Sequence, residues 1–291
     1  MKNIETTKRG KGRPKKVQNV TYVPSVIDFT QVTKLNKLDI DPKMMEQMVS
    51  GLPNVDKFIS YEGGIPAASN IMVAGSPGVG KTTLLLDVLA GVTYRNNKTL
   101  FISGEMGQKQ MFKYTQRFPQ FGCITTLFMN DYLKYNTKDV IEQALNMGYD
   151  LVLIDSVAEI IEGVRDDNGW DRKMAENWLV QVCTSNNKGE NKLNKYTSFL
   201  LIQQMTKGDD MVGSNKLKHL TDAALFLRRE SERDGGGTYM MFEKNRNGEV
   251  GLKMSYELSN NSIYYGSVSE RVEDEDSEVE FEITNPDMLQ S

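Results

Sequence analysis

A short apolar run, Asn70–Ala74, leads into Gly75-Ser76-Pro77-Gly78-Val79-Gly80-Lys81-Thr82, and apolar residues at helical spacing continue from there to Val92. The stretch fits GxxxxGK followed by Ser or Thr, set between a strand and a helix as that pattern requires. Its glycines let the backbone turn so that successive N–H groups line one concavity, which suits a phosphate. A helix beginning near Gly80 adds its N-terminal dipole and its free N–H groups. The expected cofactors are ATP and Mg²⁺, held by the loop Gly75–Thr83. Lys81 would reach the β- and γ-phosphates, the Thr82 hydroxyl would ligate Mg²⁺, and Thr83 would touch the α-phosphate.

The strand-then-helix pattern recurs. Thr99–Ser103, Leu151–Ile154 and Ser198–Ile202 are continuous apolar runs, with helix-compatible stretches such as Gln108–Phe118 between them. Runs without polar alternation suit strands buried on both faces of a parallel sheet. The expected class is therefore α/β, a doubly wound, mostly parallel twisted sheet with helices on both faces. Asp222–Arg228, Tyr239–Glu243 and Leu252–Glu257 read as strands completing the sheet with antiparallel members, and Pro42–Ser50, with Met44, Met45 and Met48, reads as a short helix.

Two carboxylates fall where such a sheet binds its ligand. Asp155 ends the run Asp150–Asp155 at the C-terminal edge of a buried strand, the position for a second Mg²⁺ anchor. The other reading is an Asp capping the next helix. Glu105 follows Thr99–Ser103 at the same edge and could orient and deprotonate an attacking water, although exposed glutamates after strands are also common.

These residues resemble the RecA-like ATPases, most closely the RadA branch, with DnaB-type helicases and KaiC-type ATPases as relatives. Four stretches carry the likeness: Gly51–Phe58 with Gly63-Gly64-Ile65-Pro66, Leu100–Glu105 ending in Ser-Gly-Glu, Leu200–Lys207, and Lys244-Asn245-Arg246-Asn247-Gly248. The resemblance spans about residues 51–258 and implies a RecA-like P-loop core. It implies that Glu105 is the catalytic glutamate, that Gln204 senses the γ-phosphate, and that Lys244 and Arg246 project into a neighbouring subunit's ATP site. Self-assembly as a ring or filament follows from that. A RadA-type zinc finger, a RadA-type C-terminal protease-like domain and a DnaB-type N-terminal domain are not evident, and the size is closer to single-domain phage-encoded members. By resemblance, the loops after the Walker B and sensor strands, about 159–173 and Lys207–Lys218, would contact DNA.

The formal net charge of −4 hides a polar distribution. Residues 1–20 carry seven Lys/Arg against one Glu, and residues 270–291 carry nine Asp/Glu against Arg271. The expected organisation is a disordered basic arm over 1–20, an extension over 21–50, the ATPase domain over 51–269, and a disordered acidic tail over 270–291. Arg13 in Gly12-Arg13-Pro14, with Lys15 and Lys16, looks like an AT-hook suited to the narrow minor groove of A·T-rich duplex. A generic basic tail or a localisation signal is the other reading. Lys207, Lys216 and Lys218 are the candidate phosphate contacts of the second loop. Cys123 and Cys183 form no CxxC pair and His219 is the sole histidine, so neither a disulfide framework nor a four-ligand zinc site is expected. No run reaches the 18 or so apolar residues of a membrane span, and the expected address is cytoplasmic, the host's for a phage protein. The leading functional expectation is an ATPase of recombination or repair acting on single-stranded DNA. A DnaB-like helicase motor and a KaiC-like regulatory ATPase without a DNA role are the alternatives.

Overall fold

The computed structural model describes residues 32–185, 195–205, 221–230 and 236–269. The chain divides into two compact units, Met1–Ile40 and Asp41–Ser291. The described part of the first, 32–40, is exposed and contains the 3-10 turn Leu35–Lys37.

The second unit opens with the 3-10 turn Pro42–Met45, whose start is capped by the Asp41 carboxylate accepting from the Lys43 N–H at 3.0 Å. The helix expected over Pro42–Ser50 does not form. Strand β1 (Gln47–Met48) instead pairs antiparallel with β2 (Ile65–Pro66), and this pairing buries Met48 opposite Ile65. Between them lies α1 (Pro53–Ile59), tied back to β1's exit by Asp56, which accepts from the Ser50 N–H (2.8 Å), the Ser50 hydroxyl (2.7 Å) and the Gly51 N–H (3.0 Å).

The main sheet has nine strands. In chain order they are β3 (Asn70–Gly75), β4 (Thr99–Ser103), β5 (Thr126–Phe128), β6 (Leu151–Asp155), β7 (Ser198–Gln204), β8 (Ala223–Arg229), β9 (Thr238–Asn245), β10 (Lys253–Leu258) and β11 (Ile263–Ser269). Their spatial order is β11-β10-β9-β8-β3-β7-β6-β4-β5. From β8 to β5 every pairing is parallel, while β9, β10 and β11 add antiparallel strands beyond β8. The long helices are α2 (Lys81–Tyr94), α3 (Gln108–Arg117), α4 (Thr137–Leu145), α5 (Val157–Asn168) and α6 (Arg172–Ser185).

Because strand side chains alternate, a strand covered on both faces must be apolar throughout. Ile71, Val73, Phe101, Leu153 and Leu200 face the core shared with α1 and α2, around Phe58 and Leu89. Their neighbours Leu100, Ile102, Val152, Ile154 and Phe199 face the core shared with α4, α5 and α6, around Ile161 and Leu179. Phe242 of β9 closes the first core against Phe58, with ring centroids 5.1 Å apart. Phe242→Ala should lower stability by about 3–5 kcal/mol, because a buried ring leaves a cavity that its neighbours refill only partly. Urea unfolding followed by circular dichroism measures it, and an unchanged midpoint would contradict this packing. Cys123 is half-buried, Cys183 is buried, and both are free thiols. Among the described residues no helix is long and apolar enough to cross a membrane.

Candidate functional site

The parallel strands end together, so one sheet edge collects Gly75 from β3, Ser103 from β4, Asp155 from β6 and Gln204 from β7. The loop leaving β3 turns through Gly78 and Gly80, at φ +77° and +102°, a region that side chains with a Cβ rarely enter. The space where a Gly78 side chain would stand is open to 4 Å, so the loop presents an uncovered concavity. Lys81 is 8% exposed, and its ammonium donates to the Gly75 carbonyl (2.7 Å) and the Ser76 carbonyl (3.1 Å). Burial lowers its pKa, while the charges of Asp155 and Glu105 act the other way. A buried cation held only by neutral carbonyls is suited to an anion in the concavity.

Asp155 is 4% exposed, and its carboxylate accepts from the Thr82 hydroxyl at 2.5 Å. Burial pushes its pKa up to about 6, assisted by Glu105, against the Thr82 hydrogen bond and the Lys81 charge. The adjoining Ser156 is fully buried, and its hydroxyl oxygen lacks a hydrogen-bond partner among the described residues. Among the described residues no cluster of three or more His, Cys, Asp or Glu could cage a metal. One hydroxyl beside one carboxylate instead fits Mg²⁺, which takes few protein ligands and completes its shell with phosphate oxygens and water. The residues thus fit Mg-ATP, with Lys81 and the loop N–H groups toward the phosphates and Thr82 with Asp155 toward the cation.

Glu105 sits beyond β4 in a turn closed by Ser103, whose hydroxyl donates to the Met106 carbonyl (2.8 Å) and accepts from the Met106 N–H (3.2 Å). The Gly104 N–H donates to the Asp155 carbonyl at 2.7 Å, which fixes this turn against β6. The Glu105 carboxylate is exposed and accepts from the Gln204 side-chain amide at 2.6 Å. Loop, Asp155, Glu105 and Gln204 therefore converge.

Lys244 and Arg246 do not join them. Strand β9 runs antiparallel to β8, so Asn245 lies opposite Ala223 and Ile71 at the start of β8 and β3, whereas Gly75 lies beside Leu227. Those positions are four residues apart, about 13 Å along a strand. Lys244 donates to the Thr221 carbonyl, and the Arg246 guanidinium meets Asp222 at 3.3 Å with 61% of its side chain exposed. The turn that carries them is braced by the Asn245 amide donating to the Ile59 carbonyl (2.9 Å) and by the Tyr61 N–H donating to the Asn247 carbonyl (2.9 Å). The cations are fixed in place at the edge remote from their own chain's phosphate loop.

Of the expected DNA contacts, Arg13, Lys15, Lys16, Lys207, Lys216 and Lys218 lie outside the described residues. The stretch 159–173, expected as a loop, is largely helical: α5 runs to Asn168, Gly169 terminates it at φ +62°, and α6 begins at Arg172. Ile160, Ile161 and Val164 bury one face of α5, and that face makes the stretch a helix instead of a free loop. The strand expected over Leu252–Glu257 forms as β10, but the sequence does not show β11 or the reach of this hairpin to the nucleotide loop. Tyr256 of β10 donates its hydroxyl to the Val79 carbonyl inside the phosphate loop at 2.6 Å. The alternation of Met254 and Tyr256 with polar residues marks β10 as a half-buried strand without indicating what it covers.

A family model described as an AAA domain matches residues 38–187, about half of the chain. The DNA repair protein RadA of Listeria monocytogenes is 28% identical over 215 residues, covering 73% of this chain and 44% of that protein. RadA of Rickettsia bellii is 26% identical over 248 residues, covering 84% and 51%. The chain thus spans about half the length of the curated relatives it matches. Among solved structures, a KaiC-like protein of Pyrococcus horikoshii OT3 superposes with a TM-score of 0.58 at 16% identity, covering 78% of this chain and all of that one, a likeness of fold. The chain belongs to the AAA-domain family and is a RecA-like P-loop ATPase near RadA.

Proposed function

We propose that this chain hydrolyses Mg-ATP at the interface between its own copies and does so while bound to DNA, in recombination or repair. The observation that carries the reading is the separation of Lys244 and Arg246 from the phosphate loop across the sheet. The loop, the Mg²⁺ ligands and Glu105 lie in one chain apart from its own Arg246, and the site becomes complete when a second copy presents that arginine. Bound Mg-ATP would supply the phosphoryl group and the divalent charge. Glu105 would hold and deprotonate the attacking water, released by Gln204 as that amide turns to the γ-phosphate. Lys81 from the same chain and Arg246 from the neighbour would stabilise charge developing on the phosphoryl oxygens.

The DNA part is supported by the relatives' description as DNA repair proteins, by the basic arm and by the lysines at 207, 216 and 218. Its test is steady-state ATPase activity with and without single-stranded DNA at low and high salt. Stimulation that fades as salt rises is expected, since phosphate contacts release counterions. Equal turnover with and without single-stranded DNA, at every salt concentration, would leave the regulatory ATPase as the better description. Strand unwinding in the same reaction would favour the helicase.

A further inference from the structure

The β10–β11 hairpin reaches the nucleotide loop from outside the parallel half of the sheet. Strand β10 runs parallel to β8, being antiparallel to β9, so its end at Leu258 arrives at the edge that carries Gly75–Thr83. The Tyr256 hydroxyl donates to the Val79 carbonyl at 2.6 Å, in a buried setting. Leu258 packs against Gly80 so closely that a Cβ built on Gly80 would lie 2.3 Å from its Cδ1. The turn itself is held by Arg117 at the end of α3, which donates to the Asn260 carbonyl at 2.8 Å. Farther along α2, the Tyr265 hydroxyl donates to Asp87 at 3.0 Å.

We infer that Tyr256, with Leu258, is a positioning residue that sets the phosphate loop for nucleotide. The reasoning is geometric. The loop binds phosphate through backbone N–H groups, whose directions depend on the peptide planes on either side. Val79 immediately precedes Gly80, the residue at φ +102° from which α2 begins. Fixing the Val79 carbonyl orients the Val79–Gly80 peptide and hence the Gly80 N–H, while Leu258 keeps Gly80 from relaxing outward. The hydroxyl is spent on the Val79 carbonyl, so it acts through the loop on the ground-state grip that ATP and ADP share.

The inference rests on the nucleotide-site reading, and its test separates the two. Equilibrium binding of ATP and ADP is measured for the full chain, with kcat and KM for ATP hydrolysis. Tyr256→Phe should weaken both nucleotides by the same factor, about three- to tenfold, the worth of one hydrogen bond. KM should rise while kcat at saturating ATP stays level. Leu258→Ala, which keeps the hydroxyl and opens space beside Gly80, should weaken the same two constants. Tyr265→Phe removes a hydroxyl from the same hairpin at a point away from the loop, and should leave both constants unchanged. Equal weakening by Tyr256→Phe and Tyr265→Phe would reduce the effect to hairpin stability and overturn the inference, as would wild-type affinity in Tyr256→Phe. Failure of the unaltered chain to bind either nucleotide would overturn both readings.

Discussion

Glu105→Gln should bind ATP about as tightly as the unaltered chain and turn it over more slowly by on the order of 10²–10⁴-fold. The amide has nearly the same size as the carboxylate, and its oxygen can still accept the 2.6 Å hydrogen bond from Gln204. What is lost is the ability to take a proton from water. The phosphate loop, Thr82 and Asp155 are untouched, so equilibrium binding of nucleotide should not move. Steady-state hydrolysis paired with nucleotide titration separates these two effects. Turnover close to that of the unaltered chain would remove Glu105 from the chemistry and leave its hydrogen bond with Gln204 as a structural contact.

Arg246→Ala carries the larger expected effect, a loss of about 10³-fold or more in kcat, in line with cations supplied in trans to a transferring phosphoryl group. It too should leave nucleotide binding by the isolated chain unchanged, because Arg246 lies at the other edge of the sheet, beside Asp222. Mixing gives the sharper experiment. Glu105→Gln chains and Arg246→Ala chains are each inactive alone by this reading. In a random co-assembly about a quarter of head-to-tail interfaces would pair an intact Glu105 with an intact Arg246. Activity should therefore return on mixing. No recovery, from two variants shown to co-assemble, would mean that Arg246 serves its own chain or none.

Much of this was legible in the sequence because it is local or periodic. The loop Gly75–Thr83 is one contiguous pattern, and β3, β4, β6 and β7 announce themselves as unbroken apolar runs because helices cover both their faces. Asp155 and Glu105 follow from that, since a residue just past a parallel strand must sit at its C-terminal edge. Other parts had no local signature. Residues 47 and 48 form a two-residue strand whose partner is Ile65–Pro66, too short to impose periodicity, and the methionines around it read as helix. Strand β11 is half-exposed with no clean alternation, so Ile263–Ser269 went unread. The resemblance makes the stretch 159–173 a loop, although its own apolar spacing at Ile160, Ile161 and Val164 favours a helix. The Tyr256 hydroxyl meets a carbonyl 177 residues away, a contact that no window along the chain contains.

Strand β8 has a consequence for the proposed cooperation between copies. One of its neighbours, β3, delivers the chain's own phosphate loop, and its other neighbour, β9, delivers Lys244 and Arg246. Asp222, just ahead of β8, accepts both from the Asn70 N–H at the start of β3 (2.9 Å) and from Arg246 (3.3 Å). On that proposal the receiving end and the sending end of one chain are joined through three adjacent, hydrogen-bonded strands. In a ring or filament built on this plan, each copy is a short stiff strut spanning two consecutive catalytic centres. A tilt imposed where one nucleotide is gripped would be transmitted as a tilt of the cations reaching the next, so the order in which the centres fire would be set by the stiffness of a sheet.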